Sequence, residues 1–594
     1  MLLWLMLLAA CPQADEPVPT RRDVVVVTGA FEPVPLEEAD RAVRALPVGA
    51  EQRLLTTSAA DLLRLDPSLD LTARAPNGVQ SDLSIRGGSF GQTLVLLDGL
   101  RLNDAQSGHH NLDIPVPLDA LSRIELLKGA GSSYYGSDAV GGVVNLITRE
   151  PEAAEFRLRA SAGNFGSNAQ SGVAGLVWRS LSQQFSFSRD FSSGFAPDRD
   201  YRNLSLASIT SARSRLGTTR LLLAHNDRPF GADQFYGNFN SWERTRTWFA
   251  AARQELGART EVSAAYRRHT DLFVLYRDRP QVYTNRHAVE SGQAAVRRRE
   301  PLGGNYTLSY GAEAYRDIIA STNLGRHARN RGAGYAALDV RALRRFSFSA
   351  GGREEFYSGG RRQFSPTVSA GFWASQHLRL RAGASRAFRL PSCTDLYYHD
   401  PANIGSPDLR PETAWSYEAG VDWNAGGRLR GDATVFHRRE RDGIDYIRRS
   451  PDDIWRAANF TRLNFTGVEL SATVRAARGQ QIDFRYTGLR GAAEAIAGTY
   501  SKYVFNYPSH AGLVAWEGAL GGGFIARARV GVTDRRARAT YAVWDAGAAY
   551  ARGRVRPFLQ LTNLTATTYQ EVFGISMPGR GIAGGVELVI IGSR

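Results

Sequence analysis

The chain has 594 residues, 43% hydrophobic and 22% charged, too apolar for a disordered tail; its 60 Gly exceed the roughly 7% norm. Two cysteines, Cys11 and Cys393, exclude a disulfide scaffold and a multi-cysteine metal site. The net charge is +15, yet the basic residues are almost all Arg, spread singly with no dense basic block, so no nucleic-acid partner is expected. The lack of any apolar run of 18 residues argues against a helical membrane protein. It leaves room for a transmembrane β-barrel, whose alternating strands hide from hydropathy.

In chain order, Leu2 to Ala10 is a short apolar stretch that fits the core of an export signal, without the usual charged flank. Leu8-Ala9-Ala10-Cys11 resembles a bacterial lipoprotein signal, which would make Cys11 a lipidation site; a plain export signal is the alternative. Residues 12–22 read as a linker. Asp23-Val24-Val25-Val26-Val27-Thr28-Gly29-Ala30 is a strand-prone run in a flexible flank. Such a segment can add to another protein's sheet edge, or serve as an ordinary first strand.

Residues 57–67 predict a short helix capped by Ser58, with Leu62, Leu63 and Leu65 near one face. Strands are predicted at Leu83 to Arg86, Thr93 to Leu97, Ile124 to Leu127 and Val143 to Thr148, with a hairpin turn at Asp98-Gly99. This is a small α+β domain. Gly87-Gly88-Ser89-Phe90-Gly91 fits the spacing of a hydrolase nucleophile elbow, but a strand follows where that motif needs a helix. In Lys128-Gly129-Ala130-Gly131-Ser132-Ser133 the lysine precedes its glycines, unlike a phosphate loop. No enzymatic constellation survives, and neither a catalytic residue nor a cofactor is assigned.

Four ordered segments carry a resemblance: Ile85-Arg86-Gly87, Val95 to Asn103, Arg123 to Gly129 and Tyr135 to Thr148. Together they resemble the plug domain of TonB-dependent outer-membrane receptors, in the branch that contains the cobalamin transporters. The resemblance implies that residues 23–30 are a TonB box, gripped by a TonB-type inner-membrane energy transducer. It implies residues 31–151 as a plug and residues 152–594 as a barrel in the outer membrane, in contact with lipopolysaccharide. A small-molecule ligand is implied, with a surface or periplasmic binding protein as a further partner.

Beyond residue 152 short alternating strands recur. Leu378, Leu380, Ala382 and Ala384 alternate with Arg379, Arg381 and Gly383; Val468, Leu470, Ala472 and Val474 alternate with Glu469, Ser471, Thr473 and Arg475. Period two with one apolar face means a sheet with one greasy side, which in lipid must close. The expected fold is a transmembrane antiparallel β-barrel of about 22 strands with the α+β plug in its lumen. Candidate outer loops are Asp227 to Arg246, Tyr276 to His287 and Ala387 to Asp408. Phe388 to Pro391 with Pro407 to Glu412, and Asn563-Leu564 with Tyr569 and Pro578 to Arg580, resemble stretches of the family's barrels. The last strand is followed by Gly592-Ser593-Arg594 where family barrels end in an aromatic residue.

The expected function is TonB-dependent import of a scarce, large ligand, cobalamin-like or a metal chelate. The alternatives are a passive porin, a surface binding barrel, or a secreted hydrolase using Ser89. Candidate ligand contacts are Gln106, His109, His110 and Asn111 in the polar loop 103–111, with the loop aromatics Phe235, Tyr236, Trp242, Tyr397 and Tyr398. His109 and His110 could hold a metal, because a loop can aim both inward, although no carboxylate spacing accompanies them in sequence.

Overall fold

A computed structural model describes residues 25–26, 28–31, 33–343, 345–476, 479–493, 498–503, 506–536 and 538–592. Cys11, the expected export signal, Asp23, Val24 and Val27 lie outside the described residues.

The wall is a closed barrel of 22 antiparallel strands, from Glu155–Gly163 to Gly581–Ile591. The first and last strands pair, Leu158 opposite Leu588, so no edge is left open to lipid. The alternation expected from sequence sets which way each side chain faces. Leu380 is 44% exposed while its neighbours Arg379 and Arg381 are buried; Leu470 is 46% exposed while Glu469 is buried. A sheet that exposes leucine and buries arginine has its greasy face in lipid and its polar face on a filled lumen. Outward aromatics cluster towards both ends: Trp178, Phe346 and Phe524 at one, Phe356, Phe364 and Trp415 at the other.

Connections at one end are short turns, such as residues 179–180 and 215–216. The other end carries the longer loops, among them 390–411 and 563–580. Two-residue strands Asn403–Ile404 and Tyr500–Ser501 pair within this loop layer. The expected loops at Tyr276 to His287 and Ala387 to Asp408 overlap wall strands by a few residues, at Thr284 to His287 and Ala387 to Arg389; the third departs further. Most of Asp227 to Arg246 is wall, because strands Gly217–Asp233 and Asn240–Leu256 extend through it and leave only 234–239 as loop. The alternation continues through those residues, and their polarity reflects an exposed strand end.

Inside the barrel sits a five-stranded sheet in the order Val43–Pro47, Leu121–Lys128, Gly142–Thr148, Thr93–Leu97, Leu100–Arg101. Thr93–Leu97 and Gly142–Thr148 pair in parallel. Every residue of Thr93–Leu97 is buried, as expected of a strand covered on both faces. Asp98 and Gly99 both have positive φ, 51° and 78°, the geometry of the tight turn that Asp-Gly favours. The predicted helix is Ala59–Leu63, where Ser58 and Asp61 form a reciprocal capping box. Ser89 caps only the 3-10 turn Phe90–Gln92, and strand Thr93–Leu97 follows at once, so the helix of a nucleophile elbow is not formed there.

Candidate ligand vestibule and plug apex

The polar loop after Leu100–Arg101 lies at the long-loop end, pinned at its base by Asn103. That side chain donates to the Thr93 carbonyl (3.0 Å) and accepts from Val95 N–H (2.7 Å). Asn111 closes the loop by accepting from Asp104 N–H and donating to the Phe90 carbonyl. Ser107 caps the turn Gly108–His110. A Cβ at Gly108 would stand 2.7 Å from the Phe90 ring and 3.1 Å from Gly91 backbone, so only glycine fits this close approach.

The two adjacent histidines diverge; the expectation that both aim at one point is not met. His109 stacks on Phe90 at 4.2 Å and places Nδ1 2.7 Å from Asp82 of the plug itself. Burial raises the Asp82 carboxyl, but His109 and Arg74 outweigh it and hold it at about 2. His110 is buried and turns to the wall, towards Asp271. Asp271 also accepts from Gln106 Nε2 (2.9 Å).

Wall loop 390–411 folds over this apex. Cys393 N–H donates to the Ala105 carbonyl (2.9 Å) and Thr394 N–H to the Gln106 carbonyl (3.0 Å). Its helix Cys393–Tyr397 carries Tyr397, stacked on His327 at 3.6 Å, and leads to the half-buried Tyr398. Phe235 is buried against Tyr201, Phe230 and Ala232, so it packs the wall. Tyr236 is partly exposed, with its hydroxyl between Gln80 and Glu243. Trp242 shares the parity of exposed Arg246 and Trp248 and therefore lies on the outer face, away from the vestibule. Reading that stretch as loop hid this alternation.

Sequence reasoning missed a basic-aromatic cluster in the same layer. Lys502, one of only two lysines, stands 5.5 Å from the rings of Tyr446 and Tyr503 and 5.8 Å from Trp455; Arg448 lies 4.3 Å over Trp455. Tyr503 also meets the edge of Phe90 and so continues the surface down to His109. The rarity of lysine was the one available signal.

At the short-turn end, Val25–Val26 pairs antiparallel with Val34–Pro35. Val26 is buried against Val34 and Ala39, and Thr28 accepts from Asn145 Nδ2 at 3.0 Å. Arg379 of the wall holds the next turn by donating to the Ala39 carbonyl at 2.6 Å. Between plug and wall lies a cavity of about 230 Å³ bordered by Asp70, Asn77, Arg529, Tyr541, Asn563 and Tyr569.

Residues 153–567 match the family model "TonB dependent receptor-like, beta-barrel", and residues 35–143 match "TonB-dependent Receptor Plug Domain". Vitamin B12 transporter BtuB of Vibrio vulnificus is 24% identical over 485 residues, covering 77% of this chain and 76% of that one. The iron-regulated outer membrane virulence protein of Vibrio cholerae is 27% identical over 466 residues, covering 69% and 68%. Among solved structures, the siderophore receptor PirA of Acinetobacter baumannii superposes with a TM-score of 0.76 at 14% identity, over 92% of this chain and 98% of that one. The ferric enterobactin receptor PfeA of Pseudomonas aeruginosa gives 0.76 at 17% identity, over 92% and 99%. These two likenesses concern the fold alone.

Proposed function

The chain belongs to the TonB-dependent outer-membrane receptors, and from that premise we propose that it imports a large, scarce, anionic metal chelate. The observation that carries the ligand class is the vestibule patch of Lys502, Arg448, Trp455, Tyr446 and Tyr503. Cations among aromatic faces suit a ligand that is both negatively charged and ring-rich. A cobalamin is the second reading, favoured by the BtuB relative. The vestibule takes the ligand through this patch, His109, Tyr236, Tyr397 and Tyr398. Gln106, His110 and Asn111 act from beneath by holding the apex. The reading is of transport, without covalent chemistry.

The reading divides the chain into a TonB box at 23–30, a plug at 31–151 and a barrel at 152–594. A plug filling the lumen fits energy-coupled passage better than passive diffusion. Support for the box comes from Val25–Val26, a strand already in extended pairing with Val34–Pro35. Exchange of that partner for an edge of the transducer's sheet keeps the backbone hydrogen bonds while transferring a pull to the plug. Arg202, Arg244 and Arg246 surround one carboxylate, Asp227, on the outer face at 2.7–3.1 Å. Their excess positive charge suits the phosphates of lipopolysaccharide.

The test is uptake and surface binding of ferric chelates and of cobalamin by cells with and without the gene. Val26→Pro, which removes a backbone donor, is expected to abolish uptake while leaving surface binding intact. Full uptake by that variant overturns the box. Cobalamin-only uptake replaces the chelate reading by the second one, and gene-independent uptake of both overturns import.

A further inference from the structure

One cluster at the plug–wall seam is not needed for ligand capture in the vestibule. Three potential ligand atoms converge there from two separate parts of the fold: His110 Nδ1 and Asp113 Oδ2 from the plug, and His269 Nε2 from wall strand Thr260–Val274. All lie within 4.8 Å of one another. Asp113 Oδ2 is 3.5 Å from His110 Nδ1 and 3.1 Å from His269 Nε2. A tetrahedral ion with bonds of about 2.0–2.1 Å sets its donors roughly 3.3 Å apart, and both separations from Asp113 are close to that. All three residues are buried, His269 completely.

The outer shell has the arrangement that fixes imidazole ligands. The far nitrogen of each ring faces a carboxylate: His110 Nε2 lies 3.5 Å from Asp271, and His269 Nδ1 lies 2.9 Å from Asp104. A carboxylate beside a ring helps orient it for metal binding; His269 Nδ1 makes a close charge contact with Asp104 without an aligned hydrogen bond, and its Nε2 is bonded to Asp113. Asp113 is oriented likewise. Arg228 takes its Oδ1 at 2.6 Å, which leaves Oδ2 turned to the histidines. Arg267 braces Asp104 at 2.7 Å. Among buried side-chain atoms of the cluster, His269 Nδ1, Asp271 Oδ1, Gln106 Oε1 and Arg267 Nε have no hydrogen-bond partner.

Asp113 pairs with Arg228 and Asp104 with Arg267, whereas Asp271 is held by His110 and Gln106. A buried carboxylate needs compensation, which a divalent cation or a protonated imidazole supplies. Two imidazole nitrogens and one carboxylate oxygen suit a transition metal of the zinc type better than calcium or magnesium, which prefer all-oxygen shells.

We propose that His110, Asp113 and His269 bind one zinc-type divalent ion that bridges the plug to the barrel wall. The ion takes ligands from both plug and wall, so it fastens the apex against the wall strand. This does not depend on which chelate or vitamin the receptor imports.

The experiment uses the full-length receptor purified in detergent, stripped with chelator and titrated with Zn2+ at pH 7.5, with bound metal measured by elemental analysis. One equivalent is expected. His110→Ala combined with His269→Ala is expected to weaken binding at least 100-fold, and Asp113→Asn at least 10-fold. His510→Ala, an exposed histidine elsewhere, is expected to leave binding unchanged. Retained melting behaviour of the barrel shows that the variants are folded, and Asp113→Asn serves if the double variant is not. Zn2+ is expected to raise the plug's melting temperature in the unaltered receptor only. Sub-stoichiometric zinc in the folded receptor, or an undiminished equivalent in both ligand variants, overturns the site. The first result leaves protonated imidazoles as the compensating charge. Neither result bears on import, which is read in cells.

Discussion

The inside of the plug and one side of its seam with the wall are built from opposite chemistry. Inside, Leu94, Leu96, Leu127 and Val143 cover one face of the sheet; Val95, Leu97, Ile124, Leu126 and Val144 cover the other. Towards strands Glu412–Ala425 and Trp455–Ala476 the long side chains meet in ion pairs. Arg41 meets Glu418 at 2.7 Å, and Arg86 meets Glu418 at 2.9 Å and Glu469 at 2.8 Å, all buried. The wall also adds apolar residues: Ile209, Leu222 and Phe249 join the plug's core, Ile525 and Phe558 cluster with Leu54 and Leu55, and Ala387 and Ala414 with Ala130 and Val140. An apolar core is non-directional and resists stepwise loss. A buried ion pair adds little net stability but is costly to break one-sidedly. The plug is thus cohesive as a body while its attachment on the ionic side depends on a few exact pairings.

The largest expected effect comes from breaking the seam alone. Glu418→Ala leaves Arg41 and Arg86 without their shared carboxylate and is expected to cost about 3–5 kcal/mol of plug docking. Hydrogen exchange should then rise at Arg41 and Arg86, while Val143 to Leu146 stay protected. Equal loss of protection in both places would show that seam and interior unfold together. A second comparison, between the two faces of one wall strand, comes next. Leu470→Arg puts a charge on the lipid face and is expected to cost about 2–4 kcal/mol of assembly near the midplane. Thr473→Arg, on the lumen side beside Asp483, is expected to cost much less. Heat-modifiable gel mobility of the two variants measures the difference.

The smallest effect is one of pH. Burial alone would raise the Asp66 carboxyl, but Lys128, Arg44 and Arg485 outweigh it and hold it well below the usual range. A carboxyl lowered in the folded state stabilises above its unfolded value of about 3.9, and that contribution fades as pH falls through the lower folded value. The Asp66 contribution to plug docking should therefore be flat between pH 7 and 5 and be lost only in stronger acid, and Asp66→Asn should flatten that acid response. Intrinsic fluorescence during acid titration of both proteins reads it.

What was legible in the sequence follows from how local each signal is. The alternation of Leu378 to Arg381 and the Asp98-Gly99 turn need only neighbours along the chain, and the strand faces and the hairpin came out as expected. His110 could be suspected of metal chemistry, but its partners His269 and Asp271 lie on a distant strand that reaches it only after the barrel closes. Asp113, three residues on, was within local range and was passed over. The vestibule aromatics divide in the same way. Tyr397 and Tyr398 sit in a true loop, whereas Trp242 belongs to a strand whose parity sends it outwards. Tyr503 joins His109 only through loop packing.

The seam under loop 390–411 also contains a clock. Cys393 donates its backbone N–H to Ala105 of the plug, and its side chain is 7% exposed, the free thiol among the described residues. An alkylating reagent can reach that sulfur only in moments when loop and apex have parted. Its labelling rate therefore counts openings in a receptor that needs no engineered cysteine, and a bound ligand or an engaged transducer would change the count in opposite directions.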